Sequence, residues 1–101
     1  MNTREFGNEM APLCFPNPSR CYDEEMQGVR FWGYDRTIEV SFFVAASAFE
    51  KINPDMRRGE ADYLNTFDNN CKRIRTVAND VYSRRRKDAY IFSYALTDSD
   101  F

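Results

Sequence analysis

The chain has 101 residues, room for a single domain, and its 43% hydrophobic and 30% charged content is that of a folded protein and not of a disordered one. Fourteen Lys and Arg against 16 Asp and Glu give a net charge of −2, which argues against attraction of the whole molecule to nucleic acid or to an anionic membrane. Histidine is absent, so the commonest general base and metal ligand is missing.

The N-terminal residues 1–11 are polar and carry no pattern, so we interpret them as a flexible tail that precedes one domain over residues 12–101. They contain no apolar run of the kind found in a signal peptide. The longest apolar stretch, residues 42–46, is far too short to cross a bilayer. We therefore expect a cytoplasmic protein with no membrane association.

Residues 28–34 and 37–44 each predict a β-strand, because apolar and polar side chains alternate with a period of two. In the first strand, Val29, Phe31 and Gly33 share one face and Arg30, Trp32 and Tyr34 share the other. In the second, the apolar face carries Ile38, Val40, Phe42 and Val44, opposite Thr37, Glu39, Ser41 and Phe43. Turn formers at 33–36 make this pair an antiparallel hairpin, and residues 23–25 are expected to begin one helical turn before it.

Two helices are predicted after the hairpin. Residues 45–51 form a short one, which Asn53 and Pro54 end. Residues 60–84 form a long amphipathic helix, whose apolar side chains recur at steps of three and four as Tyr63, Leu64, Phe67, Cys71, Ile74, Val77, Ala78, Val81 and Tyr82. Continuing the helix places Arg85 on this apolar stripe, so we expect it to end near Arg84.

A third strand is predicted at residues 90–96, followed by a polar turn and by Phe101 folding back onto the body. The fold class is therefore α+β with two layers. A small antiparallel sheet, made of the hairpin and the C-terminal strand, packs against one long and one short helix. The position of the third strand in the sheet stays open.

The cysteines, the C-terminal aspartates and the potential nucleophiles of the chain predict no metal site and no catalytic site. Cys14, Cys21 and Cys71 are odd in number and lack CxxC spacing, which favours free thiols over a disulfide framework or a zinc site. Asp98 and Asp100 are better explained by local turn hydrogen bonds than by a cation. No nucleophile–base pattern or phosphate-binding loop occurs. We expect no catalytic residue, no metal and no cofactor.

Seven cations fall within residues 72–87: Lys72, Arg73, Arg75, Arg84, Arg85, Arg86 and Lys87. One interpretation is a surface that contacts nucleic-acid phosphates, with Trp32 or Tyr34 stacking on a base. The other is a solvated helix face, supported by the i,i+4 pairs Asp68–Lys72 and Asp80–Arg84. Trp32 and Tyr34 then supply core area instead.

Several segments together resemble one known family. They are Phe15-Pro16-Asn17, Val29-Arg30-Phe31-Trp32-Gly33, Ile38-Glu39-Val40-Ser41-Phe42, Phe67-Asp68-Asn69-Asn70 with Ile74 and Ala78, and Leu96-Thr97-Asp98-Ser99-Asp100-Phe101. Their order and spacing are similar to those of DUF1488, a family of small bacterial proteins of unknown function. The resemblance spans residues 13–101 and implies a compact α+β domain, but assigns no functional residue.

Two functional hypotheses follow. The first is a non-enzymatic cytosolic interaction module, which acts through a surface patch by self-association or by binding an unknown protein partner. The alternative is a nucleic-acid-binding regulator that uses Arg73, Arg75 and residues 84–87, with Trp32 or Tyr34 for stacking.

Overall fold

The computed structural model of the chain describes residues 13–16, 18–85 and 92–101. Its elements, in chain order, are β1 (Arg20–Asp23), β2 (Gly28–Asp35), β3 (Ile38–Ala45), α1 (Ala46–Ile52), α2 (Glu60–Asn69), α3 (Cys71–Arg85), β4 (Ser93–Leu96) and a 3-10 turn (Asp98–Asp100). The four strands form one sheet in the order β1-β2-β3-β4, and the helices pack on one of its faces. The predicted two-layer α+β class is confirmed.

Strands β2 and β3 form the predicted hairpin. Asp35 pairs with Ile38, which leaves Arg36 and Thr37 as a two-residue turn. Arg36 has φ of 62°, in the left-handed region that favours glycine. The inward side chains Phe31, Val40, Phe42 and Val44 are buried as the period-two pattern predicted, but Ile38, beside the turn at the start of β3, is 46% exposed and not part of the core.

The helical turn predicted at residues 23–25 is wrong, because Asp23 instead ends strand β1. This strand runs antiparallel to β2, and Asp23 Oδ1 accepts a hydrogen bond of 3.0 Å from the Met26 N–H in the turn between them. An aspartate makes this local bond in a turn as readily as it caps a helix, so its presence alone does not decide between the two.

Strand β4 corrects the prediction of a purely antiparallel sheet. It pairs parallel with β3, from Ser41 opposite Ser93 to Val44 opposite Leu96, so the sheet is mixed. The three helices carry the chain back across the sheet, and a strand that returns this way arrives in the same direction. Tyr90 and Ile91, which were predicted in this strand, and the predicted tail 1–11 lie outside the described residues.

The long helix predicted over residues 60–84 is broken at Asn70, which has φ of −122°. The Asn70 side chain donates a 2.9 Å hydrogen bond to the Thr66 carbonyl and closes helix α2, after which α3 begins. The break lets the two helices cover different strands, because Phe67 of α2 packs on Phe31 of β2, whereas Tyr82 of α3 packs on Tyr94 of β4.

The core lies between the sheet and the helices, and the apolar stripe predicted on the long helix faces it across both α2 and α3. Its buried members are Tyr63, Phe67, Ile74, Ala78, Val81 and Tyr82, and Leu64, Cys71 and Val77 pack against them from partly exposed positions. Helix α3 is described up to Arg85, and the predicted end near Arg84 lies at the border of the described residues. None of the described helices is long and apolar enough to span a bilayer.

Candidate interaction surface

The sheet has an outer face, which points away from the helices. Because side chains alternate across a strand, the strand positions between the buried ones point to it. It carries Cys14, Cys21, Asp23, Arg30, Trp32, Tyr34, Glu39, Ser41, Phe43, Ser93 and Ala95. No described helix packs on this face.

Trp32 lies at the middle of the outer face, on a central strand. It stands opposite Ser41, whose hydroxyl lies 3.2 Å from the hydroxyl of Ser93 on β4. Trp32 is half-buried by its neighbours, and Ser93 is exposed. The centre of the face is therefore one large aromatic ring beside small polar side chains.

Tyr34 and Glu39 form one end of the outer face. The Tyr34 hydroxyl donates a 3.2 Å hydrogen bond to Glu39 Oε2, and the adjacent carboxylate raises the pKa of Tyr34 above its ordinary value. Glu39 itself is exposed. Two backbone hydrogen bonds of 2.8 Å tie Cys14 to Tyr34 at the same end.

Arg30 and Phe43 form the opposite end. The Phe43 ring is only 8% exposed because it lies against Gly28, where any side chain would collide with it. The Arg30 guanidinium covers this ring at 5.1 Å from the ring centroid, within the range of a cation–π contact. It also pairs with Asp23 at 3.1 Å, and the Met26 N–H and this guanidinium both lower the pKa of Asp23.

The predicted cations of the helix lie elsewhere. Arg73 and Arg75 flank the buried Ile74 and point to opposite sides of α3, where their guanidinium groups cover Phe101 at 5.6 Å and Phe15 at 5.1 Å. The contact also shows that Phe101 folds back onto the body as predicted. One side of each guanidinium is thus committed to an intramolecular ring.

At the end of α3, Arg84 pairs with Asp80 at 3.1 Å as predicted, and Arg85 is exposed. The other predicted pair is wrong, since Asp68 ends up in a different helix from Lys72 and instead accepts two hydrogen bonds from Arg20, at 2.9 and 2.8 Å. This pairing lowers the pKa of Asp68. Arg86 and Lys87 lie outside the described residues.

The structure therefore separates the two halves of the predicted nucleic-acid surface. Trp32 and Tyr34 lie on the outer face, whereas Arg73, Arg75 and the end of α3 belong to the helix layer on the other side of the sheet. A base stacked on Trp32 cannot place its own phosphate on these arginines. Nucleic-acid binding stays a prediction. A nucleic acid would have to bind either the aromatic residues of the outer face or the arginines of the helix layer, and not both at once.

Cysteine and aspartate chemistry adds no further site among the described residues. All three cysteines are free thiols, and the registers of Cys14 and Cys21 lie four residues apart on β2, about 13 Å. Thr97 and Asp100 form a reciprocal capping box, so the turn makes the local hydrogen bonds that were predicted for it. No group of three or more potential metal ligands occurs in the part of the chain that the structure describes.

Sequence reasoning did not single out Arg30, Glu39 and Phe43 as one surface with Trp32. The signal was the alternation itself, since these residues occupy the positions of both predicted strands that lie between buried ones. What the alternation lacked was the register, which places Arg30 beside Phe43 and Tyr34 beside Glu39.

Comparison with known proteins gives one positive finding. The family model described as "Protein of unknown function (DUF1488)" matches residues 13–92, which include strands β1 to β3 and all three helices. The comparisons with curated proteins and with solved structures found no match.

Proposed function

The chain belongs to the DUF1488 family, and we propose that it is a non-enzymatic interaction module of the cytosol that binds a folded protein partner through the outer face. One observation carries this proposal. Trp32 lies partly exposed at the middle, and Tyr34 partly exposed at one end, of a sheet face that no described helix covers. Tryptophan and tyrosine are enriched at the centres of protein interfaces, where their large rings supply most of the binding energy.

The charge of the outer face favours a protein over a nucleic acid. Its charged side chains are Asp23, Arg30 and Glu39, and Asp23 already pairs with Arg30. Affinity for nucleic acid comes mainly from cations that neutralise phosphates, and this face carries a net charge of −1. A central aromatic ring with charged residues towards the edges follows the general plan of a protein interface, in which aromatic residues and arginine are enriched and the rim is polar.

The non-enzymatic part of the proposal rests on chemistry. The chain has no histidine, so acid–base catalysis would require carboxylates or lysines with strongly shifted pKa values. The carboxylates of the outer face are instead held by hydrogen bonds, Asp23 to Arg30 and Glu39 to Tyr34. A sheet face whose carboxylates are hydrogen-bonded in this way suits docking better than catalysis.

Site-specific photo-crosslinking tests the proposal. A benzophenone amino acid replaces Ser93, which is exposed on the outer face, and in a second variant it replaces Asp55, which is exposed in the loop between α1 and α2. We expect discrete protein adducts at position 93 after irradiation in cells and few at position 55. Trp32→Ala should remove the adducts at 93 while the far-UV circular dichroism stays native.

Equal adducts at both positions, or adducts at 93 that persist in Trp32→Ala, would contradict the proposal. Nucleic acid crosslinked at position 93 would contradict it as well and would support the alternative hypothesis. That alternative also predicts binding of a labelled single-stranded oligonucleotide that weakens steeply with salt and is reduced by Arg84→Glu with Arg85→Glu.

A further inference from the structure

We infer that the protein partner of the outer face is a second copy of this chain, stacked face to face about a two-fold axis that crosses the strands at Trp32. The inference rests on the proposed function and names the partner of that same surface. Two sheets that pack face to face keep their strands nearly aligned. The two-fold axis lies between the two sheets, parallel to both and perpendicular to the strands. It reverses the strand direction in the second copy and keeps each strand above its own equivalent.

This arrangement places like residues together along the axis. Trp32 meets the partner's Trp32, and Ser41 meets the partner's Ser41, because both lie in the row through which the axis runs. The two indole rings supply a central aromatic contact, and the serine hydroxyls both donate and accept hydrogen bonds. No charge is buried against itself at the centre.

The same axis exchanges the two ends of the face. Arg30 lies two residues before Trp32 on β2 and Tyr34 two residues after it, so each row is about 7 Å from the axis. The row containing Arg30 and Phe43 of one copy therefore faces the row containing Tyr34 and Glu39 of the other. On β3, Phe43 stands directly opposite the partner's Glu39.

The charges at these ends are complementary. The Arg30 guanidinium does not extend away from the sheet but covers Phe43, which places it in front of the partner's Glu39. Its Nε and Nη2 atoms are occupied by Asp23, whereas Nη1 makes no hydrogen bond to any residue that the structure describes. Because the interface is two-fold, the Arg30–Glu39 pair forms twice.

The size of the face sets the strength to expect. Eight residues of β2 and β3 span about 27 Å and the four residues of β1 and β4 about 13 Å, so four strands spaced about 4.8 Å apart give roughly 400 Å² per copy. A total near 800 Å² is below the size of standard specific interfaces and is typical of weak, transient complexes. We therefore expect a reversible dimer with a dissociation constant in the micromolar range.

A charge exchange tests the geometry. The variants are Glu39→Arg and Arg30→Glu. Asp55→Arg is the control for Glu39→Arg, since it makes the same change of charge in the loop between α1 and α2. Sedimentation velocity of the purified full chain between about 5 and 500 μM measures dimerisation. We expect wild type and Asp55→Arg to dimerise and each outer-face variant to weaken dimerisation at least tenfold, because it places like charges together twice.

An equimolar mixture of the two variants then provides the decisive measurement. In the mixed dimer both contacts pair an arginine with a glutamate, so we expect native mass spectrometry to show the heterodimer far above the roughly twofold excess over each homodimer that random pairing gives. A dimer that neither variant weakens, or a mixture that forms no heterodimer although both variants keep native circular dichroism, overturns the inferred geometry. A wild type that stays monomeric at 500 μM overturns self-association but leaves the proposed function to the crosslinking result.

Discussion

Gly28 provides a sharp test of how the outer face is built. It begins β2 opposite Ala45, and a Cβ placed on it falls within 3.0 Å of the Val44 carbonyl oxygen and of the Phe43 ring. The ring can move, but the oxygen belongs to the strand backbone and moves only if the β2–β3 pairing opens. Gly28→Ala should therefore destabilise the domain, although alanine in a strand is by itself favoured over glycine.

The expected magnitude follows from these contacts. Overpacking costs about 1–3 kcal/mol, and an opened backbone hydrogen bond costs about 1 kcal/mol more. The smaller conformational entropy of unfolded alanine offsets about 0.5–1 kcal/mol of this. We expect a net loss of about 1–3.5 kcal/mol, which lowers the melting temperature of a domain of this size by roughly 5–25 °C.

Gly33→Ala is the matched control, because its Cβ meets only the half-buried Phe15 ring, at 2.7 Å. Thermal melts followed by far-UV circular dichroism should show a loss of about 1 kcal/mol or less for this variant. Phe15→Leu should restore Gly33→Ala, whereas Phe43→Leu should not restore Gly28→Ala. A Gly28→Ala protein that melts within 2 °C of wild type, or one fully restored by Phe43→Leu, would refute the backbone argument.

Three further outcomes are expected. Arg36→Gly should raise stability by about 0.5–1 kcal/mol in urea titrations, because it relieves the left-handed φ of 62°, and a loss of stability would contradict this. Asp68→Asn should lower the free energy of unfolding by about 0.5 kcal/mol at neutral pH, since the ion pair with Arg20 is exposed. Because folding lowers the pKa of Asp68, this difference is present above the ordinary pKa of the carboxyl group and disappears as pH falls through its pKa in the folded protein. A difference in stability that persists at pH 2 would contradict this. Glu39→Gln should lower the pKa of Tyr34 towards its ordinary value in an ultraviolet titration, and an unchanged curve would exclude the hydrogen bond.

Local sequence patterns made the hairpin and the apolar stripe predictable. Features that depend on tertiary contacts, such as the break between α2 and α3, left no signal in these patterns. Alternation places Phe31 and Phe42 on one face whatever the rest of the chain does. The break at Asn70 leaves no trace in the stripe, because Phe67, Cys71 and Ile74 keep helical spacing across it. Only the tertiary contact of each half with a different strand reveals why the helix divides there.

The sequence did not predict strand β1 or the direction of β4, for related reasons. In Arg20–Asp23 only Tyr22 packs against the core, while Arg20 on the same face pairs with Asp68, since this strand lies at the edge of the sheet. The direction of β4 depends on how the intervening helices cross the sheet, which a four-residue strand cannot encode. The candidate surface was predicted in part, because Trp32 and Tyr34 were identified, but their partners depended on the register.

The parallel pairing of β4 has a consequence for how the chain folds. Strands β1 to β3 are joined by short turns, whereas the contact of Ser41 with Ser93 closes 52 residues of chain. Closing so large a loop is slow, so we expect the meander to form early and β4 to join last. Until it does, β3 remains an open edge carrying Phe42 and Val44, and chains at high concentration can join there. Refolding yield should therefore fall with protein concentration.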